Sequence, residues 1–274
     1  MKMLKEILER FISDEVRRQI EEEEYYPGVY WPSEVWRCMR ASYLRRMVKH
    51  SPTVETVKYG VLGLMVHRWV AEVFAEAAEQ DGSASFSVES EVNVRIPVEY
   101  VDNSGREQIV LSGRMDDVFV IWGSRDEGAS HGGAGAGRRT IIAEVKTVST
   151  FPRRVPVSLP FKEHCAQLNC YLKAYPYAQG VMLYISRRDL EMREYPMRYD
   201  ETLWVETEVR LRRLHEYIKR GVIPPPEAKI DPRRHYECTH CAYREICYER
   251  GEAAVSGESV VGSDDGAQEE AVNS

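Results

Sequence analysis

Ile141-Ile142-Ala143-Glu144-Val145-Lys146-Thr147 is a short apolar run that ends in a carboxylate and a lysine two positions apart. Successive side chains on a strand alternate between faces, so Glu144 and Lys146 share one face while Val145 points into the core. Upstream, Gly113-Arg114-Met115-Asp116-Asp117-Val118 closes a second strand-like run with paired acids. If the two strands are neighbours, Asp116 and Glu144 face each other across the ladder. Their separation of 28 positions is no obstacle, because most of it belongs to a Gly/Ala-rich stretch, residues 123–139. Two carboxylates and the backbone carbonyl of Val145 suit a hard cation, Mg²⁺ or Mn²⁺. Lys146 would offset developing negative charge or position a water nucleophile. The competing reading of an isolated Glu-x-Lys is a plain ion pair at a sheet edge. Asp117 rivals Asp116 as a ligand. If Val118 and Val120 face the core, Asp116 shares their side and is a buried acid in need of a partner, and Asp117 faces out.

Outward from this stretch the chain reads as a mixed sheet with flanking helices. Residues 3–20 have amphipathic helical spacing, 25–33 read as a Tyr/Pro/Trp-rich loop, and 33–47 read as a helix carrying Cys38. A longer helix covers 54–79, with His67 in its middle. Strands follow at 86–98, at 108–122 (interrupted by Gly113) and at 140–148, with a turn at 102–105. Residues 161–175 read as a helix, 180–186 and 191–198 as strands, and 200–220 as a helix with Asp200 as N-cap and Gly221 as stop. Residues 251–274 are acidic and poor in aromatics, and read as a disordered tail after a domain of residues 1–250.

Two further constellations bear on chemistry. Gln167 and Tyr171 lie four apart on one helix face and offer an amide and a phenol to a nucleotide; alone, such a pair is an ordinary half-exposed face. His67 adds an imidazole that favours Mn²⁺ somewhat; alone, it reads as a core histidine. Cys238, Cys241 and Cys247 form a C-x2-C-x5-C cluster, and Cys38 lies 200 residues before the first of them. Clustered cysteines without a secretory leader point to a metal. Four thiolates fit structural zinc or an iron–sulfur cluster, with Cys38 the natural fourth ligand and His235 or His240 the alternatives for zinc. Cys165 and Cys170 read as core residues.

The net charge of −7 argues against a nucleic-acid partner at first, but six acids and no Lys or Arg fall in residues 251–274. Residues 1–250 are therefore close to neutral. Arginine clusters at Arg37/Arg40/Arg45/Arg46, Arg153/Arg154, Arg187/Arg188 and Arg233/Arg234 could meet phosphates or simply be solvated. No apolar run is long enough to span a membrane and the start lacks a signal-peptide block, so a cytoplasmic location is expected.

Taken in order, His67, Gly113-x-x-Asp116, Glu144-Val145-Lys146 and Gln167-x-x-x-Tyr171 resemble the RecB-type branch of the PD-(D/E)xK nuclease superfamily. With Cys38 and the C-terminal cysteine triplet, the chain resembles the CRISPR-associated RecB-like exonucleases, the fourth Cas protein family. The likeness spans about residues 36–250; Met115 stands where the superfamily's name motif has proline. The resemblance implies a restriction-endonuclease-like α/β fold and a [4Fe-4S] cluster on Cys38, Cys238, Cys241 and Cys247 that joins the N-terminal helices to the C-terminus. It implies Mn²⁺ or Mg²⁺ on His67, Asp116, Glu144 and the Val145 carbonyl, Lys146 as the catalytic lysine, and Gln167 and Tyr171 supporting site and substrate. The implied activity is exonucleolytic cleavage of single-stranded DNA from 5′ ends or overhangs, trimming spacer precursors for CRISPR integrase proteins in antiviral defence. An iron–sulfur nuclease of DNA repair, or a non-catalytic DNA- or partner-binding module, are the alternatives.

Overall fold

One 18-residue strand organises the molecule. In the computed structural model, β3 (Gly105–Trp122) pairs along one edge with β2 (Phe86–Asp102) in an antiparallel ribbon turned at Gly105. Its other edge is shared by two strands. Near its start it takes β1 (Val29–Tyr30) in parallel, and near its end it takes β4 (Arg138–Val148) antiparallel. From β4 the sheet continues to β5 (Gln179–Ser186) in parallel and to β6 (Met192–Met197) antiparallel. The structure describes residues 5–7, 9–10, 12–14, 25–48, 54–81, 86–122, 138–151, 159–239 and 241–247. Most of the Gly/Ala-rich stretch, the acidic tail, part of the 3–20 helix, Arg153/Arg154 and His240 lie outside these residues.

The helices are α1 (Pro32–Val35), α2 (Met39–Met47), α3 (Val54–Gln80), α4 (Lys162–Ala174), α5 (Glu201–Arg220), α6 (Glu227–Ile230) and α7 (His235–Thr239). Parallel β4 and β5 require a crossover, and α4 provides it. It lies on the face that carries Ile142, Met182 and Tyr184, with Leu168 and Leu172 buried among them. Gly180 allows that approach, because a Cβ there would meet Leu168 and Leu172 at 3.0–3.2 Å. The opposite face, with Val145, Leu183 and Ile185, is covered by Val66, Val70 and Phe74 of α3. A sheet covered on both sides reads as near-continuous apolar runs, which is the character of 141–148 and 180–186. α5 starts at Asp200, whose carboxylate accepts the N–H groups of Thr202 (2.8 Å) and Leu203 (3.2 Å). It stops at Gly221 in the left-handed region.

Three expectations are corrected. The helix expected over 33–47 is two helices. Trp36–Cys38 break it, and Cys38 becomes the N-cap of α2. The N–H of Cys38 is accepted by Glu237 Oε2 (2.8 Å) and that of Met39 by Glu227 Oε2 (3.1 Å). These partners come from nearly 200 residues downstream, so local periodicity carries no trace of them. The loop expected over 25–33 contains β1 and the start of α1. Gly113 does not interrupt β3; a Cβ there would come within 2.9 Å of Tyr171 Cε1 and 3.1 Å of Pro32. Among the described residues no helix is long and apolar enough to cross a membrane.

Candidate metal centre

The site forms where two strands part. The β3–β4 ladder runs from Trp122–Arg138 to Asp117–Ala143 and stops. Beyond that point β4 pairs only with β5, and β3 turns to β1. On the ribbon side, Glu91 falls opposite Asp116, adopts a left-handed φ of 60° and drops out of the ladder. Such an irregularity bends a strand locally. Asp116 and Glu144 are thus the first residues past the fork. The Val145 N–H must still find an acceptor, and Asp116 Oδ2 takes it at 2.7 Å. Asp116 Oδ1 lies 3.2 Å from Nδ1 of His67, delivered by α3.

Glu144 is 1 % exposed. Its Oε1 accepts from Lys146 Nζ and from Gln167 Nε2, both at 2.6 Å. Gln167 Oε1 accepts a second Lys146 bond at 3.0 Å, so one α4 amide holds both residues of the Glu-x-Lys pair. Gln167 also donates to the Tyr171 hydroxyl (3.2 Å), which donates to the Arg114 carbonyl (3.2 Å). Gln167 and Tyr171 are buried and engaged with one another, so they shape Glu144 and Lys146; Gln167 also borders a cavity.

The electrostatics follow from burial. Burial pushes the Glu144 carboxyl up to about 7; Lys146 works against the rise and Asp116 adds to it. Burial pulls the His67 imidazole down, but the hydrogen bond and charge of Asp116 outweigh it, and the net shift is upward. Glu144 Oε2 has no hydrogen-bond partner among the described residues. Lys146 offsets the charge through Oε1, but a buried carboxylate oxygen without a hydrogen-bond partner is still costly, and a divalent cation is a partner that such chemistry suits. Among the described residues no three His, Cys, Asp or Glu side chains form a ready-made metal cage. Asp116 Oδ2 and Glu144 Oε1 are occupied by the Val145 amide and by Lys146 and Gln167, which leaves Glu144 Oε2 as the oxygen without a protein partner.

Asp117 departs from expectation. It is 1 % exposed and accepts from Ser90 Oγ at 2.5 Å, whereas Asp116 is only partly buried. Strand parity holds, but α3 covers the Asp117 side, where Phe74 and Phe119 meet at 4.9 Å. With both faces covered, parity cannot say which acid is inside. The side chain at the fork, not the more buried one, joins the site.

Cys38, Cys238, Cys241 and Cys247 form no disulfide and line one cavity of about 510 Å³, which Lys146 and Gln167 also border. Burial raises the Cys241 thiol first, and the charges of Cys38, Cys247 and Cys238 raise it further, so the four lie within electrostatic reach. Four thiols from both chain ends line one cavity, and their donor chemistry suits a thiolate-bound metal group, although no three of them form a ready-made cage among the described residues. His235 is exposed, bonds the Lys229 carbonyl at 2.8 Å and does not line the cavity. Cys170 is fully buried and Cys165 half-buried on α4.

His164 was not singled out from sequence. It lines the same cavity, and its Nδ1 lies 2.7 Å from the Tyr184 hydroxyl. Burial, helped by the charges of Lys146 and Arg37, pulls it down to about 3, which keeps it neutral. Its position three residues before Gln167 was the available signal. Several of the arginines offered for phosphate are already paired within the chain: Arg46 to Glu34, Arg40 to the Pro224 carbonyl and Arg234 to Glu237 in partly buried positions, and Arg233 to Asp231 at the surface.

No protein-family model matches this chain. No curated protein matches it either. Thirteen solved chains do. One, described as the crystal structure of SSO0001, is 18 % identical; the match covers 88 % of this chain and 96 % of that one, at a TM-score of 0.56. At that identity the likeness is one of fold: a mixed central sheet flanked by helices, over nearly the whole of both chains.

Proposed function

We propose that this protein is a metal-dependent deoxyribonuclease of the RecB-like PD-(D/E)xK type. The observation that carries the reading is the buried, unpartnered Oε2 of Glu144 at a strand fork that also presents Asp116, His67 and Lys146. His67, Asp116, Glu144 and the Val145 carbonyl would hold Mn²⁺ or Mg²⁺. When bound, that ion supplies Lewis-acid polarisation of a phosphate and a water of lowered pKa. The rest belongs to this chain. Lys146, on the face of Glu144, places a fixed positive charge where negative charge builds on the phosphate or its attacking water. Gln167 holds that ammonium against Glu144, and Tyr171 holds Gln167. Ser90 binds Asp117 separately, so the neighbouring acid does not compete for the ion.

The cysteine cavity supports the finer reading of an iron–sulfur RecB-like exonuclease. In it Cys38, Cys238, Cys241 and Cys247 hold a [4Fe-4S] cluster that ties the N-terminal helices to the C-terminus. By the sequence resemblance, the substrate is single-stranded DNA with a free 5′ end, and the setting is spacer-precursor trimming beside CRISPR integrases in the cytoplasm. The test is incubation of end-labelled single strands with Mn²⁺, with and without chelator. Wild type should shorten them only with metal, and Glu144→Ala and Lys146→Ala should not. Equal cutting by both variants would remove the site assignment.

A further inference from the structure

The cysteine cavity is lined by more cationic than anionic side chains. Five Lys and Arg side chains line it against two carboxylates. Both carboxylates are already engaged. Glu163 accepts from the Tyr236 hydroxyl at 2.6 Å, and Glu237 accepts from Arg234 Nε (2.6 Å) and from the Cys38 N–H (2.8 Å). Two arginines flank Cys38 in sequence and face the cavity with it. Arg40 anchors its Nε on the Pro224 carbonyl at 2.7 Å and directs Nη1 to Cys247, 3.5 Å from the carbonyl and 3.8 Å from Sγ. Arg37 also lines the cavity, and its guanidinium makes no hydrogen bond or ion pair among the described residues.

We infer that Arg37 and Arg40 are the counter-charges of an anionic metal–thiolate group held by Cys38, Cys238, Cys241 and Cys247, and that they set its electron affinity. The inference rests on the iron–sulfur reading above. Four thiolates around a cluster core leave a net negative charge, and one-electron reduction of the core adds to it. Hydrogen bonds to sulfur and nearby positive charge are the levers by which a protein raises the potential of such a group. Guanidinium suits the role because it stays charged and loses less on desolvation than an ammonium. Arg40 supplies a hydrogen bond to one ligand sulfur; Arg37 supplies charge alone. The pair divides the two levers between two residues.

The test uses the full chain, reconstituted anaerobically with iron and sulfide. It compares wild type with Arg37→Met, Arg40→Met, Arg37→Lys and Arg40→Lys. The readouts are iron per chain and the midpoint potential, from titration with dithionite followed by visible absorption. Each Met variant should bind its electron about tenfold more weakly, a downward shift of about 59 mV for one electron, and Arg37→Lys should stay nearer wild type. Fully loaded Met variants at the wild-type potential would overturn the inference while leaving the cluster reading intact. If a Met variant loses iron, retention by its Lys counterpart supports the charge role, and loss by both overturns it. A wild-type chain that takes up no iron and stays colourless removes the cluster reading itself, and the inference with it.

Discussion

Replacing Glu144 by Gln should make the metal-free protein less sensitive to a rise in pH from mildly acid to neutral. Glu144 is buried, one of its oxygens has no partner, and its carboxyl is pushed up to about 7. An acid whose folded pKa is raised keeps its proton in the native state after the unfolded chain has lost it. Its contribution therefore favours folding at low pH and drains away between the ordinary glutamate value and about 7. Between pH 5 and pH 8 the loss amounts to about 2–3 kcal/mol, or roughly 5–10 °C of melting temperature for a domain of this size. The assay is thermal unfolding of wild type and E144Q in chelator, read as the difference between the two at each pH. Other titrating groups, the upward-shifted His67 among them, are present in both proteins and largely cancel. The buried amide of the Gln side chain adds a cost that does not vary with pH. Wild type should lose ground to E144Q from pH 5 to about pH 7 and level off by pH 8, and added Mn²⁺ should restore it most at the upper end. A difference that is flat with pH, or that grows in favour of wild type, would refute the reasoning about Glu144.

Gln167→Ala should leave the fold in place and slow cleavage roughly 10–100-fold, chiefly in kcat, because the amide orients Glu144 and Lys146 and lies behind the reacting groups. Gly113→Ala should cost about 1–3 kcal/mol in denaturant unfolding, since its methyl would meet Tyr171 and Pro32 inside van der Waals distance. Asp200→Ala should cost about 1 kcal/mol through loss of the α5 cap and leave cleavage unchanged. Cys38→Ala should lower bound iron as severely as Cys241→Ala, despite the distance between them in sequence; full iron in the Cys38 variant would remove it from the ligand set.

The sequence was most informative where chemistry and period coincide. The alternation in Glu144-Val145-Lys146 placed acid and lysine on one face, and the four-residue spacing of Gln167 and Tyr171 placed them together; both hold in the structure. The strands and the long helices were legible because their apolar periods are sustained. What was illegible depends on partners far along the chain. Cys38 caps α2 only because Glu237 and Glu227 reach its first N–H groups. Asp117, not Asp116, is the buried acid because α3 covers the face that a one-sided sheet would leave to solvent. Arg37 and Arg40 looked like surface charge, and only the return of the C-terminal segment turns them toward a shared cavity. The order of site residues could be read from the chain, but not the fork between β3 and β4 that brings them together.

The most direct measurement is single-turnover cleavage of a 5′-labelled single-stranded DNA by wild type and Lys146→Ala, both loaded with Mn²⁺ and compared at equal metal occupancy. The account predicts metal-dependent shortening by wild type and a loss of at least about a hundredfold in the variant, from the removal of one fixed charge beside the reacting phosphate. Equal rates for the two proteins, or no cleavage by wild type at any metal concentration, would contradict it.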